Sequence, residues 1–325
     1  MLVGHRTLDS GSSRTGVTAI LPHADNIYEE KMLGACHVIN GYGKAAGLTQ
    51  LEELGTIESP ILLTSTLSVG PVWEGGLRHV LDRNPDAARD RDTVNVIVGE
   101  CFDGWLSDAR ALAVRPEHAL EAISAATADE AREGAVGAGT GTTCFGFKAG
   151  VGTASRRAGG YTLGCLAVTN YGSRRDLHML VGPVADAEGA PAEPPAQGGS
   201  VMIVLATDAP LGERQLRRLA VRGAFGLGRA GSFATNASGE YALAFSTAQR
   251  VPHRSDEPLL ELRLLRDDSR ALRELFEAAG ELVHESVLNS LCSAPAMEGR
   301  DGNRVEAFPY GLLEHAPGLR RPLRS

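Results

Sequence analysis

Two glycines and a serine, Gly198-Gly199-Ser200, run straight into Val-Met-Ile-Val-Leu-Ala at residues 201–206. A serine placed there has a specific chemistry open to it. Its hydroxyl can attack the preceding Gly199 carbonyl, because glycine tolerates the backbone angles that such an attack requires. Cleavage of Gly199–Ser200 leaves Ser200 with both a hydroxyl and a free α-amine. An unperturbed α-amine titrates at about 7.7–8.0, which suits a base working near neutral pH. A nucleophile activated by its own N-terminal amine is an established solution. The competing reading is a loop serine at a strand start, since Gly-Gly-Ser is common in loops.

Three further segments carry candidate groups. In Asn236-Ala-Ser238-Gly239-Glu240-Tyr241, a strand that has already begun puts Ser238 and Glu240 on one side. A hydroxyl and a carboxylate there can hold and polarise the Ser200 amine; a polar hairpin turn is the alternative. Thr169-Asn170-Tyr171-Gly172 ends an apolar run, so the Asn170 amide can donate to a developing oxyanion or build an Asx-turn. Glu100-Cys101-Phe102-Asp103-Gly104-Trp105 joins two acids and two aromatics, suited to a substrate ammonium and an apolar side chain. A turn with a packed tryptophan explains the same residues. Other schemes lack their residues: nine histidines include no H-E-x-x-H, and no G-x-S-x-G exists.

Elements must hold these groups. Apolar runs predict strands over 15–21, 61–66, 93–98, 162–169, 200–207 and 241–247, while 259–265 mixes strand and helix periods. Helical patterns cover 71–82, 116–126, 212–223 and 269–291. Interleaving of the two kinds makes the class α/β or α+β. The glycines of Gly137-Ala-Gly139-Thr-Gly141 lack the G-K-[ST] ending of a phosphate loop. Residues 185–197, rich in Pro, Ala and Glu, read as a flexible linker.

Composition narrows the partners. The 325 residues are 43% hydrophobic and 22% charged, enough for a sizeable core. A net charge of −8 argues against nucleic acid, whose phosphates need clustered Lys and Arg. The basic group Arg214, Arg217, Arg218 and Arg222 has the spacing of a solvated helix face. Five scattered cysteines form no C-x-x-C pair, so neither a disulfide framework nor a metal site is expected. No targeting sequence or membrane span is read, and a reducing cytoplasm is the expected setting.

The whole pattern resembles the self-processing serine aminopeptidases, which include the L-aminopeptidase D-Ala-esterase/amidase and the β-peptidyl aminopeptidases. The resemblance runs from Arg14-Thr-Gly-Val-Thr-Ala-Ile-Leu-Pro-His23 to Gly299-Arg-Asp-Gly-Asn303. It includes Asn40-Gly-Tyr-Gly-Lys44, Glu53-Leu-Gly-Thr-Ile-Glu58, Gly99-Glu100, Phe145-Gly-Phe-Lys148 and 198–210. It implies a four-layer αββα sandwich, like N-terminal-nucleophile hydrolases but with its own connectivity. It implies a single domain cut into an α-part, 1–199, and a β-part, 200–325, that remain together. It puts Ser200 at the nucleophile, Ser238 and Glu240 at its support, and Asn170 at the oxyanion donor. Glu100, with Phe102 and Trp105 nearby, falls in the segment binding the substrate's amine. The chain departs from the pattern at Ser65, where asparagine is usual, and at Cys101, where threonine is more frequent.

The expected activity is removal of N-terminal residues from short peptides, amides or esters through an acyl-enzyme on Ser200, without metal or cofactor. Homo-oligomers of processed units, tetramers, are expected. Two rivals remain at this stage: an acyltransferase of the ornithine-acetyltransferase type, and an unprocessed binding protein.

Overall fold

The run that starts at Ser200 is a strand buried at all eight positions, Ser200–Thr207. A strand apolar throughout must be covered on both faces, and the rest of the fold supplies the two covers. The structure is a computed structural model; it describes residues 1–179, 182–183 and 198–310, and the expected linker at 185–197 lies outside them. Ten strands build two large sheets: β1 Leu2–Ser10, β2 Ser13–Leu21, β3 Glu30–Gly41, β4 Thr56–Ile57, β5 Ile61–Ser65, β6 Ile97–Cys101, β7 Val151–Ala158, β8 Tyr161–Asn170, β9 Ser200–Thr207 and β10 Gly239–Pro252. One sheet has the order β1-β2-β5-β6, the other β4-β3-β10-β9-β8-β7. Strands β9 and β10 pair in parallel, as do β5 and β6.

Alternation along β9 assigns the layers. Met202 and Val204 pack with Ile20, Ile61, Leu63 and Ile97 of the smaller sheet, so that face is the sheet–sheet interface. Val201, Ile203 and Leu205 pack with Leu216, Leu219, Leu282 and Val283 of two helices, α4 Glu213–Ala230 and α5 Arg270–Cys292. The outer face of the smaller sheet is covered by α2 Val69–Arg83 and α3 Pro116–Ser124, through Val72, Val80, Ala119 and Ile123. A short α1, Leu48–Leu54, completes the set. The architecture is a four-layer αββα sandwich.

The predicted helices are present, with α4 extended beyond 223 to Ala230. Strands β1, β3 and β7 carry too many polar residues for apolar periodicity to mark them. The strand expected over 93–98 begins only at Ile97. Its early part is held otherwise: the Asn95 N–H donates to the Glu58 carboxylate at 2.8 Å instead of to a neighbouring strand. Residues 259–265 form neither helix nor strand. Leu259, Leu260 and Leu264 are exposed, while Leu262 and Leu265 pack on the helix-side core.

Candidate active site

Three strand ends meet at one edge of the larger sheet. Ser200 begins β9, faces Asn170 at the end of antiparallel β8, and lies beside Gly239 at the start of parallel β10. The register sorts the side chains onto faces. Ser200 is in phase with Met202 and Val204, so its hydroxyl points into the sheet–sheet interface. There Ser200 Oγ accepts a hydrogen bond from the Phe102 N–H at 2.9 Å, just past the end of β6. Ser238 and Glu240 are in phase with Ala242 and Ala244 and point to the helix side. The Gly199–Ser200 peptide therefore lies between a hydroxyl on one face and a hydroxyl–carboxylate pair on the other.

Glu240 is 1% exposed. Its Oε1 accepts from Ser238 Oγ at 2.8 Å and from Ser232 Oγ at 3.0 Å. Its Oε2 is buried and has no hydrogen-bond partner. Burial pushes the carboxyl above its ordinary range, and the hydroxyls of Ser238 and Ser232 pull it back. A cavity of about 370 Å³ opens beside the pair, lined by Trp105, Asn170, Tyr171, Gly199, Ser238 and Glu240 among others.

Gly199 is closely packed, and a side chain there would crowd Ser238. A Cβ there would lie 2.7 Å from Ser238 Oγ and 3.1 Å from Tyr171 Cβ. Its carbonyl oxygen accepts from the Gly239 N–H at 2.9 Å. The turn leading into β10 is pinned by Asn40, whose side-chain amide donates to the carbonyls of Thr235 and Ser238.

Asn170 is fixed by its neighbour. The Thr143 N–H donates to Asn170 Oδ1 at 3.1 Å, which orients the amide, and Asn170 lines the cavity. Thr143 belongs to a short hairpin, Thr143–Lys148, whose Lys148 is fully buried. Lys148 Nζ donates to the carbonyls of Gly139, Thr142 and Ala149. The glycine segment before it holds no phosphate cradle. The Gly137 and Ala138 N–H groups donate to the hydroxyls of Thr7 and Thr18.

The acids and aromatics read at 100–105 separate. The Glu100 carboxylate accepts from the Lys44 N–H at 3.1 Å and from the Thr66 hydroxyl. Glu100 Oε1 lies 3.6 Å from where a Cβ on Gly239 would sit. Asp103 turns away and accepts from Ser65 Oγ at 2.7 Å. Phe102 contributes a backbone N–H to Ser200, while its ring packs over Gly104. Trp105 lines the cavity with a buried Nε1 that has no partner. Among the described residues no cluster of His, Cys, Asp or Glu could hold a metal ion.

Sequence reasoning missed four contributors: the backbone N–H groups of Phe102 and Gly239, the side chain of Ser232, and the orienting role of Thr143. The N–H groups carry no residue-type signal. Ser232 was legible only as the residue after the Gly231 that stops α4.

Comparison with known proteins bears on this geometry. A family model for peptidase family S58 matches residues 1–305. The chain is 34% identical over 334 residues to the beta-peptidyl aminopeptidase BapA of Sphingosinicella microcystinivorans, covering 96% of this chain and 83% of that one. A crystal structure of a Pyrococcus horikoshii OT3 protein superposes with a TM-score of 0.91 at 45% identity, covering 97% of this chain and 91% of that one. The L-aminopeptidase D-Ala-esterase/amidase of Ochrobactrum anthropi gives a TM-score of 0.90 at 33% identity, covering 97% and 90%. It is described as a prototype for the serine aminopeptidases and a new variant among the Ntn hydrolase fold. A family match along nearly the whole chain and a shared sandwich agree: this chain is a hydrolase acting on peptides and belongs to peptidase family S58.

Proposed function

We propose that the chain cuts itself between Gly199 and Ser200 and then acts as an aminopeptidase through Ser200. The observation that carries this reading is the Gly199–Ser200 peptide itself. Its carbonyl oxygen already accepts from Gly239 N–H, and the serine hydroxyl adjoins it on the interface face. In self-cleavage, Ser200 Oγ attacks the Gly199 carbonyl carbon, and charge grows on an oxygen that Gly239 N–H stabilises. The C–N bond breaks, the Ser200 nitrogen takes up a proton, and water hydrolyses the ester left on Oγ. The products are an α-part, 1–199, and a β-part, 200–325, held together by the shared sheets.

In turnover, the new amine takes the Oγ proton as Oγ attacks the substrate carbonyl, then passes it to the leaving amine. Water hydrolyses the acyl-enzyme by the same route reversed. Ser238 and Glu240 hold the amine. Asn170 Nδ2 and the Gly239 N–H, freed once Gly199 departs, stabilise the oxyanion. Glu100 receives the substrate's N-terminal ammonium, with Phe102 and Trp105 bounding the site. Substrates are short peptides, amides or esters. The names of the relatives extend the class to β-peptides and D-alanine derivatives. The processed units associate as tetramers, a reading supported by exposed Phe225, Leu259 and Leu260. A cytoplasmic setting rests on five free cysteines, four of them buried; cell fractionation tests it.

Denaturing mass spectrometry tests the central claim. Wild type yields two fragments, the second beginning at Ser200, and Ser200→Ala remains one chain. A wild type that stays intact at neutral pH overturns the reading. Assays on aminoacyl p-nitroanilides and β-dipeptides name the substrate. Turnover without an acceptor amine separates hydrolase from transferase.

A further inference from the structure

We infer that Ser232 is a positioning residue for the site: its hydroxyl fixes the Glu240 carboxylate so that Oε1 is saturated and Oε2 is presented to the nucleophile's amine. This rests on the assignment of Glu240 under Proposed function and adds a residue from a different element.

The turn after α4 is built to aim this hydroxyl. Gly231 ends the helix at φ 113°, and a Cβ there would meet the Asp176 carbonyl oxygen at 1.7 Å. Only glycine permits that approach. Two residues past Ser232, Ala234 sits at φ 47°, in the left-handed region that non-glycine residues avoid. Its N–H donates to Ser232 Oγ at 3.3 Å. An accepted N–H leaves the hydroxyl proton to point onward, to Glu240 Oε1 at 3.0 Å. Strain of this kind persists where surrounding structure over-determines it, and it clusters at working sites. With Ser238 on the same oxygen, two donors lock the carboxylate plane. The remaining oxygen is buried and unpartnered, and Glu240 is among the residues lining the cavity.

The direction of the effect follows. A hydroxyl that donates to a carboxylate favours its ionised form. Without Ser232, Glu240 is harder to ionise. Where it does ionise, its charge is less neutralised and holds the neighbouring ammonium more firmly. Over the range where Glu240 is ionised, the second change moves the acid limb of the rate profile to higher pH. Tyr171 and Cys144 are titratable groups that feel the Glu240 charge. Both are pushed up by burial, the Cys144 thiol to about 12. Arg175 and Asp176 lie across the cavity and pair with each other.

The test uses processed enzyme labelled with [δ-13C]glutamate, the Glu240 signal being assigned by its loss in Glu240→Gln. In Ser232→Ala we expect the carboxyl titration and the acid limb of kcat/KM both to move up by roughly half to one pH unit. Ser232→Thr, which keeps the hydroxyl, restores both. If the Glu240 titration is unmoved in folded, processed Ser232→Ala, the inference falls while the proposed function stands. If the titration moves and the rate profile does not, Ser232 has no hold on the reaction and Glu240 leaves the mechanism with it.

Discussion

Glu58 and Glu240 are both buried carboxylates, and their surroundings differ in kind. Glu58 pairs with Lys31 Nζ at 2.6 Å and accepts from the Asn95 N–H and side-chain amide at 2.8 and 2.9 Å. Both of its oxygens are partnered, and the contacts tie the start of β5 to β3 and the approach to β6. Among the described residues no cation pairs with Glu240. Two hydroxyls share one oxygen, and the other is buried without a hydrogen-bond partner. A buried charge that is fully paired belongs to the scaffold. One with an unfilled acceptor beside open space awaits a partner, and the amine released at Ser200 is the partner proposed for it.

The largest effect expected at the cavity end is that of Ser200→Ala, which abolishes both fragment formation and turnover. Asn170→Ala comes next. If its Nδ2 faces a developing oxyanion, kcat falls about 10²-fold or more with little change in KM. Single-turnover assays on processed enzyme read this, and a near-normal kcat would return Asn170 to the role of ending β8.

A matched pair then sets the two glutamates against each other. Glu240→Gln removes the charge that favours the ammonium form of the amine. The acid limb of kcat/KM should move to lower pH, with a reduced plateau, while the melting temperature changes little. Glu58→Gln should do the opposite, leaving the rate profile alone and destabilising the fold by about 3 kcal/mol, because Lys31 loses its counter-charge. Equal stability losses in both variants would erase the distinction between them.

Asp103 gives the smallest effect and a control with a defined sign. It is 2% exposed, and burial pushes its carboxyl from 3.8 up to about 6, against the hydroxyl of Ser65. The folded protein thus holds this proton more tightly than the unfolded chain does. Its contribution is present below 3.8 and is lost as pH rises through about 6. Asp103→Asn keeps an acceptor for Ser65 and removes the charge. Denaturant titrations should show it gaining about 1–3 kcal/mol over wild type at pH 7 and losing that gain near pH 4.

Much of this was legible in the sequence. The strand at 200–207 stood out because a strand covered on both faces is apolar throughout. A hydroxyl and a carboxylate two positions apart were legible, but the strand begins only at Gly239, so Ser238 meets Glu240 from the turn before it. The covering helices showed themselves by periodicity, and Gly-Gly-Ser marked the peptide that the family resemblance also singled out. What tertiary structure decided lies between segments far apart in the chain. The parallel register of β9 on β10 puts the Ser200 hydroxyl and the Glu240 pair on opposite faces of one sheet. Phe102 and Gly239 take part through backbone N–H groups that every residue but proline owns. Ser232 and Thr143 reach Glu240 and Asn170 only because a helix end and a hairpin dock there. Local sequence sets which way a side chain points along its own strand; what it meets is set by non-local pairing, to which no single segment holds the key.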